Sequence, residues 1–281
     1  MNGPERIAAA FARAAAEDRA ALIVFLAAGD PDYHTTVELA RTAVAAGADI
    51  IELGSPFSDP LADGPVIQSA YERALAGEAT TAATLECAAR VAAATGAPVV
   101  LMVALNCVLA YGTDRFCQDA AEAGVSGLLI PDLPVDDAAS LRQEAHLAGL
   151  GTVFLTGPDT SIDRTRQIAA ITTGFVYVMR HRGVTGAGAY PVDLRRRVAE
   201  ARAAGPAPVA VGFGIASAAD AASIAGVADG IIVGSALVDT AFRAGPGEAV
   251  GELVRALRRA MAPAGKLPQH QATGQQPGAT A

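Results

Sequence analysis

A single glutamate, Glu52, stands in a short apolar stretch of the sequence, between two large aliphatic residues. A carboxylate in such a stretch is costly to bury unless it is paired or used in chemistry, so Glu52 is indicated as functional. The surrounding segment, Ile51–Pro65, also contains Asp59 and Asp63, among prolines that stiffen a loop and glycines that allow tight turns. Two carboxylates held beside a substrate suit general acid–base catalysis, although Asp63 taken alone is better explained as a polar turn residue.

Three glycine-containing turns in the second half of the chain are suited to binding phosphate. They are Arg182–Gly188, Gly212–Ser217 and Val233–Leu237. Glycine lets backbone N–H groups approach the oxygens of an anion, and Ser217 or Ser235 is placed to cap the helix that follows. One such turn is a weak signal, but three in succession indicate a phosphate site. The sequence contains no GxxxxGKS/T loop, which argues against nucleoside triphosphates.

The spacing of the histidines and cysteines argues against a metal site and against a cysteine nucleophile. The four histidines are scattered, and only His181, between Arg180 and Arg182, follows an apolar stretch. No second histidine or cysteine stands beside it to complete a ligand set, so the sequence predicts no metal. The three cysteines form no CxxC pair and are expected to be reduced thiols. These cysteines are Cys87, Cys107 and Cys117.

Eight short apolar stretches alternate with alanine-rich amphipathic segments along the chain. Each has the length of a strand and is too short for a helix. Strands alternating with helices predict a parallel sheet, and eight in an unbroken series favour a closed (β/α)8 TIM barrel of the α/β class. An open, doubly wound sheet of eight strands is the alternative. The predicted strands are Leu22–Ala27, Ile50–Leu53, Val99–Val103, Gly127–Ile130, Thr152–Leu155, Phe175–Met179, Val209–Val211 and Gly230–Val233.

The segments between these strands have helical periodicity, and many end at a glycine that is expected to adopt the left-handed conformation of a helix C-terminus. The predicted helices include Thr36–Ala46, Thr84–Ala94, Asp114–Ala123, Ala138–Ala148, Asp163–Ala170, Leu194–Ala204 and Ala218–Ala225. The terminating glycines are Gly47, Gly96, Gly124, Gly149, Gly205 and Gly226. An extra N-terminal helix, Pro4–Arg19, is expected to plug the bottom of the barrel. Residues 1–262 are thus predicted to form one barrel domain, and residues 263–281, rich in proline, glycine and glutamine, a disordered tail.

The composition fits a protein with a large core and an acidic surface. The chain has 281 residues, of which 52% are hydrophobic and 18% charged, and its net charge is −8. An acidic surface repels nucleic acids and anionic membranes, so neither is an expected partner. The first residues lack the apolar core of a signal peptide, and no apolar run reaches the ~20 residues that cross a bilayer. These features predict a soluble cytoplasmic protein.

The run ELGSPFSDPLADGPVIQ, at Glu52–Gln68, resembles the signature of the tryptophan synthase α subunit family. Further similar segments occur in the family's order and extend the resemblance over roughly Ala21–Val238. These segments are FLAAGDPD (Phe25–Asp32), LLIPDLP (Leu128–Pro134), GVTGA (Gly183–Ala187), VGFGIAS (Val211–Ser217) and VGSALV (Val233–Val238). The resemblance implies a TIM-barrel lyase of tryptophan biosynthesis, which cleaves indole-3-glycerol phosphate to indole and glyceraldehyde 3-phosphate in a retro-aldol reaction without a cofactor.

The resemblance also implies roles for individual residues. Glu52 would transfer protons as general acid and base, and ionised Asp63 would accept the indole N–H and meet Thr185 when a loop closes. The implied partner is the tryptophan synthase β subunit, in an α2β2 complex, docked at Pro56–Asp59 and around Asn106. The remaining implied substrate-binding residues are Phe25 and Phe213 at the indole pocket, Tyr177 lining the site, and Gly186, Gly214, Gly234 and Ser235 at the phosphate.

The sequence departs from the family pattern in two places. Ala104 and Leu105 stand where many relatives have a tyrosine beside the indole ring, and Cys107 stands where proline is common. The basic run Arg180–Arg182 replaces a segment that is usually rich in serine. These departures leave the shape of the indole pocket, the closure of the loop and the docking of the partner open.

Four functions are compatible with parts of the sequence. The main expectation is an α subunit that works with a β subunit. A stand-alone indole-3-glycerol phosphate lyase that releases free indole is the alternative, motivated by the departures. A phosphosugar isomerase or epimerase would fit the glycine turns but not the segment Glu52–Asp63. A protein that only activates a β subunit would not need both carboxylates.

Overall fold

The computed structural model describes residues 1–60, 63–180, 193–212 and 214–261. The strands are β1 (Ala21–Ala27), β2 (Ile50–Gly54), β3 (Val99–Met102), β4 (Val125–Leu129), β5 (Gly151–Thr156), β6 (Val176–Met179), β7 (Val209–Gly212) and β8 (Gly230–Val233). Each strand pairs in parallel with its neighbours in the chain, and β8 pairs with β1 to close the barrel. The predicted TIM barrel is confirmed, and the open sheet is wrong because β1 and β8 are hydrogen-bonded neighbours.

The strands are buried on both faces, which explains why continuous apolar runs mark them in the sequence. On β1, Leu22 and Val24 pack with the surrounding helices, whereas Ile23 packs inside the barrel. The parallel register pairs Phe25 of β1 with Glu52 of β2. Because side chains alternate along a strand, Glu52 lies on the interior face, among apolar neighbours.

The helices that cover the barrel are α1 (Gly3–Ala16), α2 (Tyr33–Ala46), α3 (Pro65–Ala76), α4 (Thr81–Thr95), α5 (Leu105–Tyr111), α6 (Thr113–Glu122), α7 (Ala139–Leu147), α8 (Ile162–Ile171), α9 (Asp193–Ala204), α10 (Ala218–Ala225), α11 (Ser235–Ala244) and α12 (Glu248–Ala260). Four of them, α3, α5, α11 and α12, were not among the helices predicted from periodicity. Of these, α3 matters most for the site, because it begins immediately after the loop that carries Asp63. Gly64 is its N-cap and Pro65 its first residue.

Helix α1 closes the N-terminal end of the barrel, as the sequence predicts for the extra helix. Its residues Ile7, Ala10 and Phe11 pack with the side chains that line the barrel interior. The ring of Phe11 lies 5.8 Å from that of Phe175, centroid to centroid. Gly3 rests against the backbone of Ser126, where a Cβ atom would have no room. With this end blocked, the interior is open to a substrate only from the C-terminal ends of the strands.

The glycines predicted to end helices divide into two groups. Four adopt positive φ angles, as expected of left-handed helix ends: Gly47 (114°), Gly96 (67°), Gly124 (77°) and Gly149 (75°). The prediction is wrong for Gly226. Its φ is −89°, and its backbone N–H donates to the Ile224 carbonyl in a tight turn. It is also wrong for Gly205, which has no positive φ and is needed because a side chain would collide with the backbone of Ala169.

Most predicted element limits agree with the structure within one to three residues. The N-terminal helix ends at Ala16, short of the predicted Arg19, because Asp18 has a left-handed φ of 55° that a helix cannot continue. Strand β4 begins two residues before the predicted Gly127, where the β3–β4 register shifts. The proposed tail, 263–281, lies outside the described residues. In the part of the chain that the structure describes, no helix is long and apolar enough to cross a membrane.

Candidate active site

Strand β2 places Glu52 inside the barrel, between Phe25 of β1 and Val100 of β3. The residue is 2% exposed, and its Oε2 atom has no hydrogen-bond partner among the described residues. Burial and, to a lesser extent, the negative charge of Asp63 together raise the pKa of the Glu52 carboxyl group to about 8. Glu52 is therefore protonated at neutral pH and able to give up a proton.

The loop after β2 brings Asp63 to the same end of the barrel. Its backbone N–H donates to the Pro60 carbonyl at 3.0 Å, and its carbonyl accepts from the Gln68 side chain at 2.9 Å. Burial raises the pKa of the Asp63 carboxyl group to about 6. Near pH 7 the pair therefore holds one proton, on Glu52, while Asp63 is ionised. Environments that separate two carboxyl pKa values in this way mark acid and base assignments in enzymes.

Two buried tyrosines complete the polar lining around the carboxylates. Tyr177 of β6, which the sequence predicts, and Tyr71 of α3, which it does not, each have a pKa raised well above the ordinary value. Burial is the main cause for both, and the charges of Glu52 and Asp63 add to it. Tyr177 fits only because Gly212 faces it, since a Cβ atom on Gly212 would collide with its hydroxyl group.

Tyr71 was missed because its spacing is that of an ordinary core residue. The buried face of α3 consists of Ile67, Ala70, Tyr71 and Ala74, which is the periodicity of any amphipathic helix. The available signal was its residue type and position: a tyrosine in the apolar stripe of the helix that directly follows Asp63.

The aromatic ring of Phe25 extends from β1 towards the neighbouring strand β2. A Cβ atom on Gly54 of β2 would lie 2.5 Å from the tip of the ring, and one on Gly234 after β8 would lie 3.4 Å from the Phe25 Cβ. Glycine at position 54 therefore makes room for the ring, which is 4% exposed, whereas a Cβ atom at Gly234 would be in ordinary contact with it. The structure thus brings Phe25 to the same end of the barrel as Glu52 and Tyr177.

The last two βα turns form two helix N-termini beside this cluster. Gly214 has a positive φ of 74°, and Ser217 caps α10 in a reciprocal capping box with Asp220. The prediction that Ser235 caps its helix is wrong, because Gly234 is the N-cap of α11 and Ser235 its first residue. Among the described residues no side chain caps α11, so the first N–H groups of this helix, which begins directly after β8, have no side-chain acceptor. Such N–H groups are suited to an anion.

Arg180 packs against the turn after β7 and is not exposed to solvent. It is 6% exposed, its Nη1 donates to the Gly214 carbonyl at 3.2 Å, and it lies 3.5 Å from the Asp220 carboxylate. Its own backbone N–H donates to Gly212. Arg180 therefore connects the end of β6 to the turn after β7.

The other sequence departures lie at the start of α5. Ala104 is the N-cap, and the backbone N–H of Leu105 donates to the Asp132 carboxylate at 2.9 Å, joining the loops after β3 and β4. Beside α5 is a cavity of about 420 Å³ on the outer surface. It is lined by Phe57, Thr80, Thr81, Ala82, Asn106, Cys107, Ala110 and Tyr111.

Several predicted residues lie outside the described residues, and their contacts remain predictions. They are Thr185, Gly186, Phe213, His181 and Arg182. The structure thus brings together Glu52, Asp63, Phe25 and Tyr177, with Gly214, Gly234 and Ser235 at the adjoining turns.

Comparisons with known proteins identify the family of this fold. Residues 11–262 match the family model of the tryptophan synthase alpha chain. The chain is 44% identical over 261 residues to the tryptophan synthase alpha chain of Gloeobacter violaceus, covering 92% of this chain and 95% of the relative. It is 46% identical over 234 residues to that of Citrifermentans bemidjiense, covering 83% and 88%.

Solved structures are similar over nearly the whole fold. A Mycobacterium tuberculosis tryptophan synthase chain superposes with a TM-score of 0.86 at 38% identity, covering 92% of this chain and 98% of that one. The tryptophan synthase alpha chain from Legionella pneumophila gives a TM-score of 0.83 at 35% identity, covering 95% and 100%. The identities and the coverage leave one conclusion: the chain belongs to the tryptophan synthase alpha chain family.

Proposed function

We propose that Glu52 and Asp63 are the residues with which this enzyme cleaves indole-3-glycerol phosphate. The chain is a carbon–carbon lyase of tryptophan biosynthesis, which releases indole and glyceraldehyde 3-phosphate. The observation that supports the two residues is their arrangement: two carboxyl groups at the open end of the barrel, with pKa values of about 8 and about 6. At neutral pH one can donate a proton while the other remains an anion.

The reaction needs both protonation states. Protonated Glu52 donates its proton to indole C3, which puts positive charge on the indole nitrogen, and the Asp63 carboxylate accepts the N–H and stabilises that charge. Ionised Glu52 then removes the proton from the glycerol hydroxyl group while the bond between C3 and the hydroxyl-bearing carbon breaks. The electrons of that bond return to the ring, the hydroxyl carbon becomes the aldehyde, and Glu52 regains its proton. No other reactant is consumed.

The substrate phosphate would bind at the turns after β6, β7 and β8. We assign it to backbone N–H groups at Gly186, Gly214 and Gly234, together with Ser235. The helix N-termini of α10 and α11 supply partial positive charge there, which allows an acidic protein to bind an anion. The rings of Phe25 and Phe213 would enclose the indole, with Tyr177 beside it and Thr185 meeting Asp63 when the loop closes.

We assign a tryptophan synthase β subunit as the partner, in an α2β2 complex. The cavity beside α5 is lined by Phe57 and Asn106, both from the surface expected to dock, and Leu109 of the same helix is 59% exposed. An open cavity and an exposed apolar side chain on one helix support the docking of a protein there. The comparisons favour this function over a stand-alone lyase, and the burial of Arg180 removes one of the reasons for that alternative.

Two measurements test these assignments. Release of glyceraldehyde 3-phosphate from indole-3-glycerol phosphate by the purified chain should be slow and should rise strongly when a β subunit is added. Glu52→Gln and Asp63→Asn should each reduce the release by about 10²–10⁴-fold while the β subunit still binds. Retention of cleavage by both variants would show that other residues carry out the chemistry.

The interface has a matched test of its own. Leu109→Asp should weaken binding of the β subunit, measured by calorimetry, and should reduce its stimulation of cleavage. Leu147→Asp, on α7, is the control, because Leu147 is also highly exposed, at 72%, but lies on a different helix from the cavity. Equal loss of binding in both variants would contradict the assigned surface.

We also assign the protein to the cytoplasm, where its biosynthetic substrate is expected. Fractionation of cells that express the chain should recover it with cytoplasmic marker enzymes, and recovery with the membrane fraction would contradict this.

A further inference from the structure

The hydroxyl group of Tyr71 is buried beside the catalytic carboxylates without a hydrogen-bond partner among the described residues. Tyr71 is 2% exposed, and its ring packs with Phe25, Ala27 and Ile67. The hydroxyl lies so close to Gly54 that a Cβ atom on that glycine would collide with it. Gly54 is two residues beyond Glu52 on the same interior face of β2, so the Tyr71 hydroxyl lies one layer above the Glu52 carboxyl group.

Glu52 also has a side-chain oxygen, Oε2, that is buried without a hydrogen-bond partner among the described residues. A buried polar group is normally hydrogen-bonded, so two unpaired groups at neighbouring positions, one a donor and one an acceptor, call for an explanation. A phenol donates, and a carboxylate accepts better than a carboxylic acid.

The surroundings of Glu52 offer few other donors. Strands β1 and β3 present Phe25, Val100 and Met102, which are apolar, and the following loop presents the anion Asp63. Of the described groups that face Glu52, the remaining titratable ones are Tyr71 and Tyr177, and both are affected by its charge. The pKa of Tyr71 is raised well above the ordinary value by burial, so its hydroxyl keeps its proton through the neutral range.

We propose that Tyr71 is a positioning residue for Glu52, donating a hydrogen bond to the Glu52 carboxylate in the step in which that group has given up its proton. This proposal rests on the proposed role of Glu52. The bond stabilises the ionised form that removes the glycerol hydroxyl proton, and it is not needed while Glu52 is protonated. Rotation of the glutamate side chain towards Gly54 would bring the two groups together, since Glu52 and Gly54 lie on the same interior face of β2, one layer apart.

Tyr71→Phe is the test variant, because it removes the hydroxyl group and keeps the ring that packs with Phe25. Tyr33→Phe is the matched control. The Tyr33 hydroxyl is likewise buried without a partner among the described residues, but it packs on α2 in the outer helix layer. Thermal unfolding of both variants checks that each is folded.

Two readouts are measured on the full chain. The first is the pH profile of cleavage of indole-3-glycerol phosphate with saturating β subunit. The second is the titration of the Glu52 carboxyl carbon by ¹³C NMR in the free protein, assigned by its loss in Glu52→Gln. Tyr71→Phe should lower kcat at least tenfold with little change in KM, and should raise the pKa of Glu52 by about one unit, because the ionised form loses its charge-assisted bond. Tyr33→Phe should change neither.

Two results would overturn the proposal. One is a Tyr71→Phe protein that behaves like Tyr33→Phe in both readouts. The other is an increase in KM with an unchanged Glu52 titration, which would mean that the hydroxyl contacts the substrate instead. Both differ from failure of the proposed function, in which Glu52→Gln itself would retain activity.

Discussion

The Asp63 carboxylate raises the pKa of the Glu52 carboxyl group, although the two residues belong to different parts of the chain, a strand and the loop that follows it. Burial raises both pKa values, and the negative charge of Asp63 separates them further by opposing ionisation of Glu52. The result is one proton shared by two carboxyl groups at neutral pH, and it resides on Glu52, the group that we propose as the acid.

The rate of cleavage should therefore depend on pH with a bell-shaped profile. Activity should rise as Asp63 ionises, near pH 6, and should fall as Glu52 loses its proton, near pH 8. The measurement is kcat/KM for indole-3-glycerol phosphate from pH 5 to pH 9 at constant ionic strength. The two limbs of the profile belong to the coupled pair. Asp63→Asn removes the negative charge that raises the pKa of Glu52, so the alkaline limb of the residual activity should move to lower pH. A flat profile between pH 5 and pH 9 would contradict the assignment.

Glu52→Gln should lower the rate of cleavage and increase the stability of the protein at alkaline pH. We expect cleavage to fall by about 10²–10⁴-fold, the usual contribution of a positioned acid or base. A carboxyl group whose pKa is higher in the folded protein binds more protons there than in the unfolded chain. Its contribution to stability is therefore full below the unfolded pKa of about 4.5 and is lost as the pH rises through about 8.

The glutamine variant has no such dependence. Its free energy of unfolding should equal that of the unaltered protein near pH 4.5 and should exceed it at pH 9 by up to about 1.4 kcal/mol per unit of pKa shift. Urea unfolding at the two pH values measures the difference. A variant that is less stable than the unaltered protein at pH 9 would contradict the raised pKa of Glu52.

Gly54→Ala should displace side chains of the site, because Gly54 lies on the interior face of β2. The added Cβ would lie 2.5 Å from the Phe25 ring and would also collide with the Tyr71 hydroxyl, so at least one of them must move. We expect a loss of stability of about 1–3 kcal/mol, as for other overpacked cores, and an increase in KM as the indole wall is displaced. Gly226→Ala is the control, because nothing lies within 4 Å of its added Cβ. The idea fails if the two alanine variants have the same KM and stability.

Arg180→Lys should weaken binding of the phosphate end of the substrate. Lysine keeps the charge near Asp220 but cannot reproduce the contact of the guanidinium with the Gly214 carbonyl, so the turn after β7 should loosen. We expect the Kd for glyceraldehyde 3-phosphate to increase about tenfold, whereas the Kd for indole should change little. Calorimetry with each product measures both values.

The control for this experiment is Arg243→Lys, which alters an exposed ion pair between Arg243 and Asp239 within α11. Exposed pairs of this kind contribute little, so this variant should bind both products normally. Equal weakening of indole and glyceraldehyde 3-phosphate binding in Arg180→Lys would point to general unfolding of the site.

The alternation of strands and helices could be predicted from the sequence because the hydrophobic pattern of each element is local. Eight apolar runs of strand length were sufficient to predict the barrel, and a carboxylate inside one of them was sufficient to single out Glu52. The extra N-terminal helix was predicted for the same reason, and its place under the barrel follows from the apolar face that includes Ile7 and Phe11. The family motif added the assignment of Asp63, which residue type alone did not favour.

The tertiary structure alone decided which residues meet. Tyr71 has the spacing of a core residue, and its position beside Glu52 appears only when α3 folds against the end of the barrel. Arg180 belongs to a basic run in the sequence, yet the pairing of β6 with β7 buries it on Gly214 and Asp220. Both pKa shifts likewise arise from burial and from charges on other elements. A sequence pattern reports the period of one element, whereas distances between elements depend on how the barrel closes.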